Sequence, residues 1–231
     1  DAIASLNIAG TNYLFTANEG DTRAYAGFSE ETRIKDVTLD PTAFPDAGNM
    51  QSQYLLGRLI MTNTLGDDLL DGDFDELYTI GTRSFSIWDE SGTLIFDSGD
   101  LMEQILANHP DFQDLFNASN SAGAVSVKNR SDDKGPEVEG VATATVDGNH
   151  FVFVSLERVG GVFIFNVNDP VNPQYVGYQN NRDAVTNGPD RGAEGLIFIE
   201  AAGSPNGNSL LLLANEISST VTVFQLNSCA D

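Results

Sequence analysis

The chain has 231 residues, with 34 acidic against 11 basic side chains and a formal net charge of −23. A balance so lopsided repels nucleic acid and anionic membrane surfaces and favours cations or cationic partners. No apolar run approaches the ~20 residues a helix needs to cross a bilayer, and 41% hydrophobic residues with 22 glycines and 8 prolines speak for a strand-rich globular chain rather than a disordered one. Most of the acidity reads as solvated surface. The length suits a single β domain spanning 1–231, and a start at Asp1 without a signal-peptide pattern is expected of a processed or trimmed product. Cys229, the lone cysteine, has no partner for an internal disulfide.

In chain order, IASLNI and NYLFTAN read as two strands joined by the turn Ala9-Gly10-Thr11-Asn12. Gly20 to Tyr54 is polar, contains Pro41 and Pro45, and is longer than a structureless loop in a compact domain should be, so it is expected to be functional or to cover something. GRLIMT (57–62) reads as a returning strand. In LGDDLLDGDFDELY six acids crowd together, and Asp71, Asp73 and Asp75, with Glu76 beside them, alternate as a hard, oxygen-seeking cation such as calcium requires. The loop is not a full EF-hand, and the alternative reading is an acidic surface turn.

Leu77 to Gly81, Ser84 to Trp88 and Thr93 to Phe96 are expected as a three-stranded meander. Asp100 and Glu103 have capping-box spacing ahead of a short helix near Met102 to Asn108, which ends by Pro110 with His109 as a C-terminal charge. Four strands follow, Val138 to Val146, Phe151 to Leu156, Val162 to Val167 and Gln174 to Tyr178, the size of one propeller blade. The last strands are Gly195 to Ile199, Leu210 to Leu213 and Thr220 to Leu226. Asn117 and Asn129 stand in N-x-S sequons, which matter only where the source glycosylates.

One unit recurs three times. An acid opens a strand and a Glu closes the next apolar strand: Asp1 then Glu19, Glu139 then Glu157, Glu194 then Glu216, with a turn insertion near Ser204-Pro205-Asn206-Gly207 in the last copy. Equivalent positions in repeated blades meet on one axis. Asp1, Glu139 and Glu194 therefore form one candidate set, and Glu19, Glu157 and Glu216 a second. Clustered carboxylates repel unless neutralised by a cation or by arginine, and Arg23, Arg83, Arg158 and Arg191 lie close by in sequence. Two readings follow: a metal-assisted site, or Glu–Arg pairs that merely tie repeats together. His109 and His150 are the only histidines, and no G-x-S-x-G, P-loop or G-x-G-x-x-G occurs, which argues against a Ser-His-Asp hydrolase or a nucleotide fold.

Taken together, TANEGDTRAY (16–25), DGDFDELY (71–78), GTRSFSIWD (81–89), DKGPEVEGV (133–141), LERVGGV (156–162), NNRD (180–183) and ANEISSTVTV (214–223) resemble the C-terminal half of the secreted bacterial choice-of-anchor I proteins. Members are known also as alkaline-phosphatase-like or mesenchyme-specific cell-surface-glycoprotein-like propellers. The resemblance runs over essentially the whole chain. It departs from the family in lacking the N-terminal half, in a shortened calcium-like loop and in Ala193 where proline is usual.

The resemblance implies an all-β chain, with three to four antiparallel blades of a larger, seven-bladed β-propeller and one short helix inserted. It implies a secreted or cell-surface location and Ca²⁺ on Asp71, Asp73, Asp75 and Glu76. It also implies a metal-dependent phosphoester hydrolase built on Glu19, Glu139, Glu157, Arg158, Glu194 and Glu216, with a non-catalytic binding or adhesion module as the alternative. The expected partners are an N-terminal half of the same propeller or a second copy, with a phosphoester or surface ligand.

Overall fold

The structure is a computed structural model that describes residues 2–226. Its strands are β1 (Ile3–Ile8), β2 (Thr11–Asn18), β3 (Ala24–Tyr25), β4 (Phe28–Ser29), β5 (Glu31–Arg33), β6 (Ile60–Thr62), β7 (Ser84–Asp89), β8 (Leu94–Asp97), β9 (Val138–Val146), β10 (Asn149–Leu156), β11 (Val162–Asn166), β12 (Gln174–Gln179), β13 (Ala193–Ile199), β14 (Leu210–Asn215) and β15 (Thr220–Gln225). Among the described residues helix is confined to α1 (Ala47–Met50), α2 (Leu101–Asn108) and three single 3₁₀ turns. The fold is all-β and antiparallel. The chain divides into two compact units, one of 1–19, 83–130 and 135–231, the other of 20–82 and 131–134.

The larger unit holds three sheets, in the orders β1-β2-β7-β8, β12-β11-β10-β9 and β13-β14-β15. Each is an up-and-down meander, and β9 lies beside β1 and β2 on one side and beside β13 on the other. Period-two alternation decides which faces meet. In the first sheet Ala4, Phe15, Ile87 and Phe96 fall on one cross-strand row, and this row faces the second sheet's Val152, Val154, Phe163 and Phe165. In the second sheet the other face, with Phe153 and Val162, packs against Leu211 and Leu213 of the third.

The expected meander at 77–96 needs a correction. Ser84–Asp89 and Leu94–Asp97 do pair, but as the outer half of the sheet begun by β1 and β2, with Phe15 opposite Ile87 and Ala17 opposite Phe85. Leu77 to Gly81 is not a strand of that sheet and makes only a bridge, Met61 to Thr79, in the smaller unit. Gly81 and Arg83 both have left-handed φ values, 68° and 62°, which break the extended run just before β7. The apolar face of β7 then finds its partner in β2, on the far side of a long insertion.

That insertion begins with the polar stretch 20–54, which is too long for a structureless loop. With residues 55–82 it forms the smaller unit, built on the two-stranded sheets β3-β4 and β5-β6 and a core of Ile34, Leu39 and Met61. Asp132 closes it by accepting ion pairs from Arg33 at 2.9 Å and Arg58 at 2.7 Å.

Helix α2 starts one residue earlier than expected and lacks the capping box. Asp100 accepts from the Gln104 side chain at 2.8 Å instead of capping the backbone. Glu103 is drawn away to Arg83 at 3.0 Å and Asn117 at 2.5 Å. Met102 and Leu106 are fully buried between the first two sheets, and beyond the helix the ring of Phe112 stands edge-on to Tyr178 of β12, 5.0 Å between centroids.

Candidate functional site

Glu19, Glu157 and Glu216 each follow the second strand of a meander, and Glu139 and Glu194 stand near the start of a first strand. Val138 pairs with Leu156 and Ala193 with Asn215, so in the second and third meanders the opening acid and the closing Glu lie at the same end. Because β9 neighbours the other two sheets, these ends converge. Carboxylate oxygens of Glu19, Glu139 and Glu157 lie within 4.8 Å of one another, and so do those of Glu157, Glu194 and Glu216. Glu157 belongs to both groups. Asp1 lies outside the described residues.

Close approach of β9 to β13 depends on Gly140. A Cβ there would stand 2.4 Å from the Glu194 carbonyl oxygen and equally close to Ser155 Oγ. Ser155 Oγ accepts from the Gly140 N–H at 2.9 Å and donates to the Glu194 carbonyl at 3.2 Å, tying the two sheets together beside the acids.

The asparagines just before Glu19 and Glu216 are held by matching relays. Asn18 donates to Ser84 and Ser86 at 3.1 and 2.7 Å, and both hydroxyls donate to Asp97 at 3.0 and 2.6 Å. Asn215 donates to Thr220 and Thr222 at 3.3 and 2.9 Å, and these donate to Asp190 at 2.7 and 2.6 Å. The signal in the sequence is Asn-Glu ahead of S-x-S in one copy and of T-x-T in the other.

The second meander carries Leu156 where the others carry Asn, and Glu157 is held differently. Its Oε1 accepts from Asn120 Nδ2 at 3.0 Å, and Oε2 lies 3.5 Å from Arg158 Nε. Arg158 also binds Asn120 Oδ1 at 2.9 Å and Glu137 Oε2 at 2.6 Å. Glu137 is 0% exposed and takes a second arginine, Arg130, at 2.5 Å.

Burial works against charge on Glu137, but the hydrogen bonds from Arg158 and Glu157 and the two guanidinium charges outweigh it and hold the carboxyl below its usual range. Glu157 goes the other way. Burial first, then its hydrogen bond to the charged Glu137, push it up to about 7 against the opposing pull of Arg158. Glu194 is likewise raised, by burial, by its hydrogen bond to Glu216 and by the charges of Glu216 and Glu139.

Of the arginines expected to serve the acids, Arg158 lies against Glu157 and Glu137. Arg23 pairs with Glu30 at 2.7 Å, Arg83 with Glu103, and Arg191 donates to the Asn120 carbonyl at 3.1 Å. Glu137, Asn120 and Arg130 escaped sequence reasoning. Glu137 is the acid after Pro136 in the organising repeat, whereas nothing in the 117–130 segment marks Asn120 or Arg130.

In the smaller unit, Asp73 and Asp75 are joined by Asp40, all three within 4.8 Å. Asp40 comes from the long polar stretch and is fixed by backbone bonds, Asp40 N–H to the Phe74 carbonyl and Phe74 N–H to the Thr38 carbonyl, each 3.0 Å. The structure places Asp71 beside this group, with its N–H on Asp67 at 3.1 Å, and Glu76 apart from it, accepting from the Tyr78 hydroxyl. Asp73 is raised by desolvation, then by the charge and hydrogen bond of Asp71 and the charges of Asp40 and Asp75, with every cause pushing the same way. Three oxygen donors on two crossing segments, with unrelieved mutual repulsion, suit calcium.

The molecule is thus an all-β protein of antiparallel meanders that gathers carboxylates at one end of its strands. The choice-of-anchor I domain family model matches residues 1–170, and the chain belongs to that family. The chain is 30% identical over 194 residues to Gigasin-3a of Magallana gigas, an alignment covering 77% of this chain and 67% of that protein. It is 28% identical over 189 residues to the mesenchyme-specific cell surface glycoprotein of Strongylocentrotus purpuratus, covering 68% of this chain but 24% of that one. No solved structure matches. The third meander lies beyond the family match, yet repeats its strand order and its acids.

Proposed function

We propose that this protein works outside the cell, secreted or held at its surface, as part of a β-propeller that binds divalent cations, calcium first. The observation that carries the reading is the convergence of Glu19, Glu139, Glu157, Glu194 and Glu216 in two groups that share Glu157. Carboxylates brought this close repel one another, and a bound cation offsets that repulsion. The Asp40, Asp73 and Asp75 group is a second, self-contained place for calcium. The extracellular setting is supported by the name of the sea-urchin relative, a cell surface glycoprotein, and no helix among the described residues is long and apolar enough to cross a membrane.

Three meanders side by side are blades of a ring that takes more of them. We assign the remaining sheets to further polypeptide, from an N-terminal half of the same propeller or from a second copy. Support comes from the outward face of the third sheet, where Ile197, Val221 and Val223 are exposed. Light scattering of the folded chain is expected to find it associated; a stable monomer would count against this.

A second reading, metal-assisted phosphoester hydrolysis, is favoured by Glu157. A carboxyl held near 7 beside an arginine has the proton affinity of a general base at neutral pH. A bound cation supplies Lewis acidity toward a phosphoryl oxygen or water. Arg158 would orient the remaining oxygens, and Glu157 would take the proton.

Calcium titration separates the readings. At ~100 times its Kd calcium adds ~2.7 kcal/mol of stability. Asp73→Ala is expected to lower the melting temperature in calcium but not in chelator. Glu157→Gln is expected to keep the calcium shift of the Asp site and to lose any hydrolysis of a model phosphoester. A melting curve unmoved by calcium in the wild-type protein ends the cation reading. Cation binding without hydrolysis at any pH leaves the binding module as the function.

A further inference from the structure

The two layers between sheets are built alike near β9 and differently further out. Between the first and second sheets, α2 closes the outer part of the layer, with Met102 and Leu106 fully buried and Leu101 and Ile105 packed beside them. Between the second and third sheets no helical residue takes that place among the described residues. Small side chains, Ala142, Ala144 and Ala193, bring the sheets together at β9 and β13. Beyond them the faces part around a cavity of about 760 Å³.

Its walls are apolar: Phe151 and Ile164 on one sheet, Phe224 and Leu226 on the other, all only partly buried, with Val176 of β12 55% exposed at the mouth. Asp147 lies on the rim, in a chain whose net charge is −23. Half-buried phenylalanines lining a cleft of this size are characteristic of a binding site rather than a finished core.

We infer that this cleft receives an amphipathic helix of a partner protein, with large apolar side chains on one face and a basic opposite face, seated as α2 is seated in the neighbouring layer. The geometry follows from the molecule's own solution to the same wedge, in which a helix lays the i, i+1, i+4 and i+5 stripe Leu101, Met102, Ile105 and Leu106 between two diverging sheets. The basic face follows from charge: an acidic surface recruits cationic segments faster and holds them better at low salt. The inference does not depend on the carboxylate sites.

The test uses the whole chain and a fluorescent Leu/Lys peptide of about four helical turns with Leu at i, i+3, i+4 and i+7. A scrambled peptide of equal composition controls for charge alone. The ordered peptide is expected to bind at least ~10-fold more tightly and to gain helical circular dichroism on binding. Val176→Lys, at an exposed position that leaves the core intact, and Phe224→Ser should each bring its affinity down to that of the scrambled peptide. Val221→Lys, on the outward face of the third sheet, should change nothing. Equal binding of the two peptides, or indifference to both cleft substitutions, overturns the inference. So does palmitate binding that the cleft substitutions abolish while the peptide stays unbound, because the cleft would then be built for an acyl chain. Should Phe224→Ser melt far below the parent, Val176→Lys decides alone.

Discussion

Replacing Arg182 with alanine is expected to destabilise the larger unit by about 4 kcal/mol. Arg182 is 2% exposed and pairs with no carboxylate among the described residues. Its guanidinium donates to the carbonyls of Ser119 at 2.5 Å, Arg158 at 2.5 Å and Val159 at 3.2 Å, and to Asn187 Oδ1 at 2.8 Å. Burial pulls its pKa down to about 10, so it stays charged at neutral pH with only neutral acceptors to solvate it. Asn187 in turn donates to the carbonyls of Ser121 and Gly123, each at 2.8 Å. One side chain thus pins the 119–123 segment, which carries Asn120, to the turn that follows Glu157. Truncation leaves several buried carbonyls without donors and a side-chain-sized void. Arg182→Lys should recover only a minor part, because one ammonium cannot span acceptors arranged for a planar fork. Urea unfolding reads both variants, and a loss below about 1 kcal/mol for Arg182→Ala would show that solvent or a neighbour replaces the fork.

The second large effect is on pH dependence in the presence of chelator. Burial pushes the Glu157 carboxyl up to about 7 in the folded protein, above the ordinary glutamate value of 4.5. Below 4.5 the carboxyl is protonated in both states. Between the two values the folded protein holds a proton that the unfolded chain has released, so this group's favourable contribution is lost as pH rises and is gone above about 7. Glu137 has the opposite sign: its pKa is lowered on folding, and its contribution is lost as pH falls through the acid range. The two are separated by comparing wild type with Glu157→Gln, which keeps a neutral side chain throughout. The groups facing Glu157 are Glu19, Glu137, Glu139, Glu194, Glu216, Arg158 and Asn120. The variant should match wild type near pH 5 and exceed it by a few kcal/mol near pH 8. Parallel stability curves would mean that Glu157 ionises normally.

The strands of the second and third meanders were legible because each buries a face and therefore alternates or runs apolar, as in Phe151 to Leu156 and Leu210 to Leu213. The recurrence of an opening acid and a closing Glu was legible for the same reason: a repeated unit must repeat its strand ends. Glu194 and Glu157 sit together because β13 lies against β9, and that adjacency was implied by the repeat. The helix was expected from the capping-box spacing of Asp100 and Glu103, and it forms without that box, since Glu103 has a stronger partner in Arg83 than in the backbone of Asp100.

What the sequence determined by itself was local and periodic: an antiparallel all-β chain, its turns, the positions of Glu19, Glu139, Glu157, Glu194 and Glu216 at equivalent strand ends, and an acidic surface suited to cations. Tertiary structure alone decided which distant segments meet. It paired β7 with β2 across the whole of 20–82, folded that stretch around its own small core, and brought Asp40 to Asp73 and Asp75 while Glu76 accepts from Tyr78. It also set Arg130, Asn120 and Arg182 around the Glu137 and Glu157 pair. Spacing along the chain records the pleat and the repeat, because these are properties of neighbouring residues. A buried charge takes its partner from whatever segment reaches it in space, so no period in the sequence announces that partner.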